Sequence, residues 1–264
     1  MLTDALEQRV ASFLAGGPGT VSVFLGTASG TSVAQVAADA AHYAASTMKL
    51  PLVVAAYRLH QRGALDLDAP VPVHNAFASA LDGSAFSLLQ EDDQDDATWA
   101  RLGDAVPLRT LARHAVVHSG NLATNLLLEH VGTPEVARVL ADAGCSSTTV
   151  VSRGIGDAAA REAGLDNLVT AADLGRVMAG VSAEVEAVLA DQQHRDGIPA
   201  GLPAGTYVAN KTGWVDGVTH DVALVRPEGR DPYVLAVCTT VDVPEDDAHA
   251  LIAALSRTVW EDWP

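Results

Sequence analysis

The chain has 264 residues, 48% of them hydrophobic and 19% charged, with a formal net charge of −17 at pH 7. That length buries a sizeable core, in one large domain or two interleaved ones. The negative charge argues against nucleic acid and anionic membrane as partners, and no apolar run is long enough to span a bilayer.

Residues 1–15 read as an amphipathic helix ending near Gly16 and Gly17. This start lacks a basic segment followed by an apolar one, so the expectation is a cytoplasmic protein, or an exported one whose signal has been removed. Val21 to Leu25 and Ser32 to Val36 read as two strands about a turn at Ser29 and Gly30. From Ser46 the pattern turns helical. Leu50 to Leu59 is apolar nearly all round, as suits a helix buried between layers, with Pro51 in its first turns and Gly63 as its stop. The run 91–96, Glu-Asp-Asp-Gln-Asp-Asp, reads as a solvated loop, since no glycine-punctuated calcium loop surrounds it.

Leu108, Leu111, Ala112, Ala115 and Val116 recur at helical spacing. A second helix follows over Leu122 to Val131. A third opens with Thr133 as cap and Pro134 as its first residue, and Gly144 ends it. Thr170 and Asp173 form a capping box for a helix through Met178. Thr206 to Asn210, Val218 to Val225 and Tyr233 to Val241 have strand character, the last two joined by a Pro227-Glu228-Gly229 hairpin. A final helix runs from about Glu245 to Trp260, with three carboxylates at its positive end.

Strands at both chain ends and helices between them predict an α+β fold: an antiparallel β-sheet flanked by helices, with an all-helical insertion. The expected division is a sheet domain from residues 1–45 plus 195–264 and a helical domain from 46–194, with the active site between them. Cys145 and Cys238 are expected as two free thiols. The nine histidines show no metal-ligand spacing, so no metal and no cofactor is expected, and His220-Asp221 reads as structural.

Sixteen residues are basic, but only Lys49 and Lys211 are lysine. Arginine keeps its proton in a protein, whereas a desolvated lysine can lose it. Ser46-x-x-Lys49 places a hydroxyl and an amine on one helix face. Serine becomes a nucleophile when a neighbour accepts its proton, and burial plus the like charge of Lys211 would push Lys49 toward neutrality. The free amides of the helix start can also stabilise an oxyanion. Ser119-Gly120-Asn121 lies at a break between two helices. Ser119 can pass on a proton and Asn121 can bind a substrate amide; read alone, both also fit helix caps. Lys211-Thr212-Gly213 follows a strand. Lys211 and Thr212 can hold a carboxylate, Gly213 permits close approach, and the Trp214 N–H can complete an oxyanion hole.

The three motifs in this order resemble the class A β-lactamase family of penicillin-recognising serine enzymes. Residues 21–49 look like that family's opening hairpin and nucleophile helix, and Lys211 to Ala223 resembles its closing hairpin. The resemblance implies Ser46 as nucleophile, Lys49 as general base, Ser119 as proton relay and Asn121 as substrate contact. It implies Lys211 and Thr212 as carboxylate ligands, with Gly213 beside them, and the Ser46 and Trp214 amides as the oxyanion hole.

Two departures bear on the reaction. Glycine stands at 120 where β-lactamases usually carry aspartate. The family's deacylating glutamate lies in the pattern E-x-x-L-N, and here Glu162-x-x-Leu165-Asp166 comes one residue type away. The alternative register makes Asp157 to Asn167 a compact loop with Glu162 facing solvent. The leading expectation is a serine acyl-enzyme hydrolase for a small β-lactam or D-alanyl-type amide bearing a carboxylate. Alternatives are an acylated sensor that does not turn over, and a cytoplasmic amidase or esterase on the same scaffold. A monomer is expected.

Overall fold

The computed structural model describes residues 2–264; Met1, the first residue of the expected opening helix, lies outside them. Five strands form one antiparallel sheet: β1 (Gly19–Thr27), β2 (Ser32–Val36), β3 (Tyr207–Val215), β4 (Val218–Arg226) and β5 (Tyr233–Val241), in the order β2-β1-β5-β4-β3. The two chain ends meet where β1 pairs with β5, from Gly19 opposite Val241 to Thr27 opposite Tyr233.

All the strands but the edge strand β2 are buried on both faces along most of their length, and their side chains sort by the two-residue period of a pleated strand. Tyr233, Leu235 and Val237 join a core with Val21, Val23 and Leu25 on one face. Helix α1 (Leu2–Leu14) and the last helix, Glu245–Asp262, close that core with Leu6, Val10, Leu251, Ile252 and Leu255. Val234, Ala236 and Cys238 point the other way, into the larger core shared with the middle of the chain. Both cysteines are free, Cys238 buried and Cys145 half-buried.

Helix α2 (Lys49–Gln61) runs through that larger core and is buried on nearly every side, as its composition requires. Around it lie α3 (Leu108–Val117), α4 (Asn121–Val131), α5 (Thr133–Asp142), α6 (Ala171–Ala179) and α7 (Ala183–Ala190). The Thr170 hydroxyl accepts from the Asp173 N–H at 3.1 Å, as the capping box predicts. At α5 the start differs from expectation: Gly132, at φ +76°, takes the cap position and Thr133 is the first helical residue. The middle of the chain also carries short strand pairs, Pro70–Pro72 with Ala105–Pro107 and Phe77–Ala78 with Ala85–Phe86.

Two sequence expectations need correction here. Lys211, Thr212 and Gly213 do not follow a strand; they lie inside β3, because all nine residues of β3 find partners along β4. The acidic run is a solvated loop only in part: Glu91, Asp92, Gln94 and Asp96 are exposed, but Asp93 is half-buried and Asp95 turns inward. Gln90–Asp92 form one 3-10 turn, Asp96–Trp99 form a short helix, and Asp95 is 2% exposed. The buried side chains of Thr98 and Trp99 anchor this segment against the helices.

Candidate active site

Ser46 lies in a 3-10 turn, Ala45–Met48, that leads directly into α2. Residues three apart nearly eclipse in such a turn, and Lys49 Nζ lies 2.9 Å from Ser46 Oγ. Ser119 holds φ at +58°, a left-handed conformation that costs a non-glycine residue about 1 kcal/mol. That bend breaks the chain between α3 and α4 and turns Ser119 and Asn121 toward the lysine. Strain of this kind collects at functional sites.

Lys49 is wholly buried and has a defined set of neighbours. Its amine donates to the Ser119 carbonyl at 2.5 Å and to Asn121 Oδ1 at 2.9 Å, and lies 3.4 Å from Ser119 Oγ. The Asn121 oxygen faces the lysine because its amide nitrogen donates to the Asp92 carbonyl at 3.0 Å. A neutral amine has two N–H groups, which those two acceptors use, and a lone pair, which is left for the Ser46 hydroxyl. Burial pushes the Lys49 pKa down to about 7, against the opposing pull of Asp93 and Asp95.

Lys211 comes from β3 on the other side of the cleft. Its amine donates to Ser119 Oγ at 3.0 Å and to the Thr212 carbonyl at 2.6 Å. Burial, then the charge of Lys49, push its pKa well down, with Asp221 opposing. Ser119 Oγ is therefore bonded to one amine and in reach of the other. The Thr212 hydroxyl is buried and makes no hydrogen bond among the described residues. Gly213 brings the strand against the nucleophile turn: a Cβ there would lie 2.8 Å from the Ser46 N and 2.7 Å from the Thr47 N. Trp214 lines the cleft with Ser46, Ser119 and Asn121, around a cavity of about 140 Å³ that also touches Tyr43 and Ile155.

All eight predicted site residues thus converge on one cleft. Glu162 does not. It ends a short exposed helix, Ala158–Glu162, and lines a separate cavity of about 450 Å³ with Arg153 and Arg161. The loop before it is compact because its polar groups are tied inward. Asn125 holds the Ile155 peptide through both its N–H and its carbonyl, each at 2.8 Å. Asp157 caps the short helix at Ala160 and accepts from Ser79 and from the Ala80 N–H. His220 and Asp221 are structural, as expected. His220 bonds the Tyr43 carbonyl at 2.8 Å, and Asp221 accepts from the Ile198 N–H at 2.8 Å and from Asn210.

Sequence reading missed the acidic loop. Asp93 accepts from the Asn121 N–H at 2.7 Å and the Leu122 N–H at 2.8 Å, so it caps α4 from a distant segment. The signal available in the sequence was the glycine at 120, whose missing side chain leaves the space that Asp95 fills.

A profile of the Beta-lactamase enzyme family matches residues 5–263. A β-lactamase of Citrobacter koseri is 30% identical over 181 residues, 58% of this chain and 57% of that protein. The carbapenem-hydrolyzing β-lactamase KPC of Klebsiella oxytoca is 32% identical over 178 residues, 57% of each. The matched stretch thus spans little more than half the length of these relatives. A β-lactamase structure from Xanthomonas campestris superposes with a TM-score of 0.83 at 22% identity, covering 98% of both chains, a likeness of fold.

Proposed function

Since the chain belongs to the class A β-lactamase family of serine hydrolases, we propose that Ser46 forms an acyl-enzyme with a β-lactam or D-alanyl-type amide bearing a carboxylate. The observation that carries this reading is the 2.9 Å contact between Ser46 Oγ and a fully buried Lys49 amine. Ser46 Oγ attacks the substrate carbonyl while its proton passes to the Lys49 lone pair. The oxyanion is held by the Ser46 and Trp214 amides. As the carbonyl–nitrogen bond breaks, Ser119 delivers a proton to the leaving nitrogen and is resupplied from the lysines it touches. A substrate carboxylate pairs with Lys211 and the unpaired Thr212 hydroxyl.

The exposed position of Glu162 supports a second clause: the acyl-enzyme leaves slowly, because this carboxylate is not part of the Ser46 cavity. The test is mass spectrometry after mixing with a fluorescent penicillin, followed by nitrocefin hydrolysis. The reading expects one adduct on Ser46, absent in Ser46→Ala, with nitrocefin consumed near stoichiometrically. Absence of any adduct on Ser46 with penicillins and D-alanyl esters alike would remove the proposed substrate class.

A further inference from the structure

The acidic segment 91–96 packs against the Ser119–Asn121 turn, with Asp92 and Gln94 at the wall of the Ser46 cavity, yet none of the chemistry proposed for Ser46 uses its carboxylates. Asp93 takes the first two amides of α4, from Asn121 at 2.7 Å and Leu122 at 2.8 Å, and is itself held by the Trp99 indole N–H at 2.8 Å. The residue whose backbone it grips is the one whose side chain meets Lys49 at 2.9 Å. Two residues further on, Asp95 fills the space beside Gly120 and is bonded to Thr98 and His114.

We propose that Asp93 is a positioning residue for the Ser46 reaction: it fixes Asn121 against Lys49 and supplies that lysine with a counter-charge from outside the three motifs. This deepens the proposed acylation. A carboxylate that accepts two backbone amides at a helix start and an indole N–H has its place determined by three bonds. It therefore acts on Lys49 in two ways, by geometry through Asn121 and by field. Other groups act on the same amine. Lys211 on β3 and the half-buried His194 lie on the far side of the cleft, and Asp95 lies on the same side, its charge tempered by His114 and His118. The carboxylates of Asp93 and Asp95 both favour the protonated form of Lys49, against its burial.

The chain's two lysines make this directly measurable. Protein labelled with [ε-13C]lysine gives two side-chain resonances, assigned with Lys49→Arg, and each is followed against pH. Asp93→Asn is expected to lower the Lys49 midpoint by about one pH unit. Asp95→Asn moves it the same way, and Asp96→Asn, an exposed change on the same segment, leaves it in place. Asp93→Glu keeps the charge but misplaces it, so the midpoint stays near that of the wild type while penicillin acylation slows about tenfold or more. A carboxylate that merely capped a helix would alter the melting temperature and leave the Lys49 midpoint where it was. An unmoved midpoint in folded Asp93→Asn overturns the proposal. If Asp93→Asn does not fold, Asp95→Asn reads the charge and Asp93→Glu the placement, and failure of both overturns it equally. The titration needs no substrate, so the counter-charge on Lys49 is decided even if Ser46 is never acylated, and its failure is distinct from failure of the proposed acylation.

Discussion

Gly120 and Asp95 exclude one another: a Cβ at 120 would lie 2.7 Å from both the Cβ and Oδ2 of Asp95. Gly120 has φ −61°, a conformation open to any residue, so space and not backbone strain demands glycine here. Asp95 is pinned by Thr98 and His114 and has little room to yield. Gly120→Ala is expected to cost about 1–3 kcal/mol by overpacking. Gly120→Asp should cost more, since it sets a second carboxylate against a buried one. Denaturant unfolding of Gly120→Ala, Asp95→Gly and the double variant tests the relationship. The double should lose less than the sum of the singles, and additive losses would refute the steric account.

The pH dependence of acylation follows from Lys49. Its pKa, lowered to about 7, means that the neutral amine predominates above that pH and the ammonium below it. Acylation of Ser46 by a penicillin is expected to rise with pH through a midpoint near 7 and then level off. Lys49→Arg, which carries a charge that cannot be shed, should lose on the order of 10²–10⁴-fold at every pH. A wild-type profile flat from pH 5 to 9 would exclude Lys49 as the base.

Glu162 offers the opposite kind of test. Its carboxyl faces solvent at the end of a short helix and shares no cavity with Ser46. Glu162→Gln is expected to leave acylation and the lifetime of the acyl-enzyme unchanged within about twofold, as surface changes do. A longer-lived adduct in this variant would show that the loop moves its carboxylate into the cleft.

The legible part of the site was the part written locally. Ser46 and Lys49 are three residues apart where a 3-10 turn enters an apolar helix, so their contact follows from local spacing. The apolar run Tyr233–Val241 reads as a strand, and it is one, buried along nearly its whole length. What stayed hidden depends on distant pairing. The strand containing Lys211 continues to Val215 because Val218–Arg226 offers it partners, which no property of Lys-Thr-Gly declares. The acidic loop looked solvated because carboxylates usually are. Asp93 and Asp95 turn inward because amides 28 residues and more away, and a glycine, are waiting for them.

Acid stability should reflect the histidine pair beneath the nucleophile turn. His42 lies between Ser22 Oγ at 2.8 Å and Thr240 Oγ1 at 2.7 Å, with the His220 ring edge-on at 5.4 Å. Burial, then the nearby His220, lower the His42 pKa from 6.5 to about 4. The folded state therefore refuses a proton that the unfolded chain accepts. Stability is complete above about pH 6.5 and declines as the pH falls toward 4, by about 3 kcal/mol for this group alone. His42→Gln should be less stable at neutral pH, having lost fitted hydrogen bonds, but its stability should fall less steeply between pH 6.5 and 4. Equal slopes for the two proteins in urea titrations would exclude His42 as the acid-sensitive group.

Gly213 joins the sheet to the nucleophile. It lies in β3, one residue beyond Thr212, and its backbone runs so near the 3-10 turn that a methyl group would meet the Ser46 and Thr47 nitrogens at 2.8 and 2.7 Å. Those are backbone atoms at the mouth of a helix buried on nearly every side, so the turn cannot retreat. β3 is an edge strand of the sheet, paired with β4 and with no other strand, and is the partner that can yield. Gly213→Ala should therefore move β3 outward by a fraction of an ångström, carrying Lys211 and Thr212 with it. The sheet core lies on the far side of β4 and is little affected, so melting should fall by only a few degrees. Acylation should fall by about 100-fold, because a small misplacement of oriented groups is costly. Retention of full acylation by Gly213→Ala would mean that the cleft does not need β3 this close.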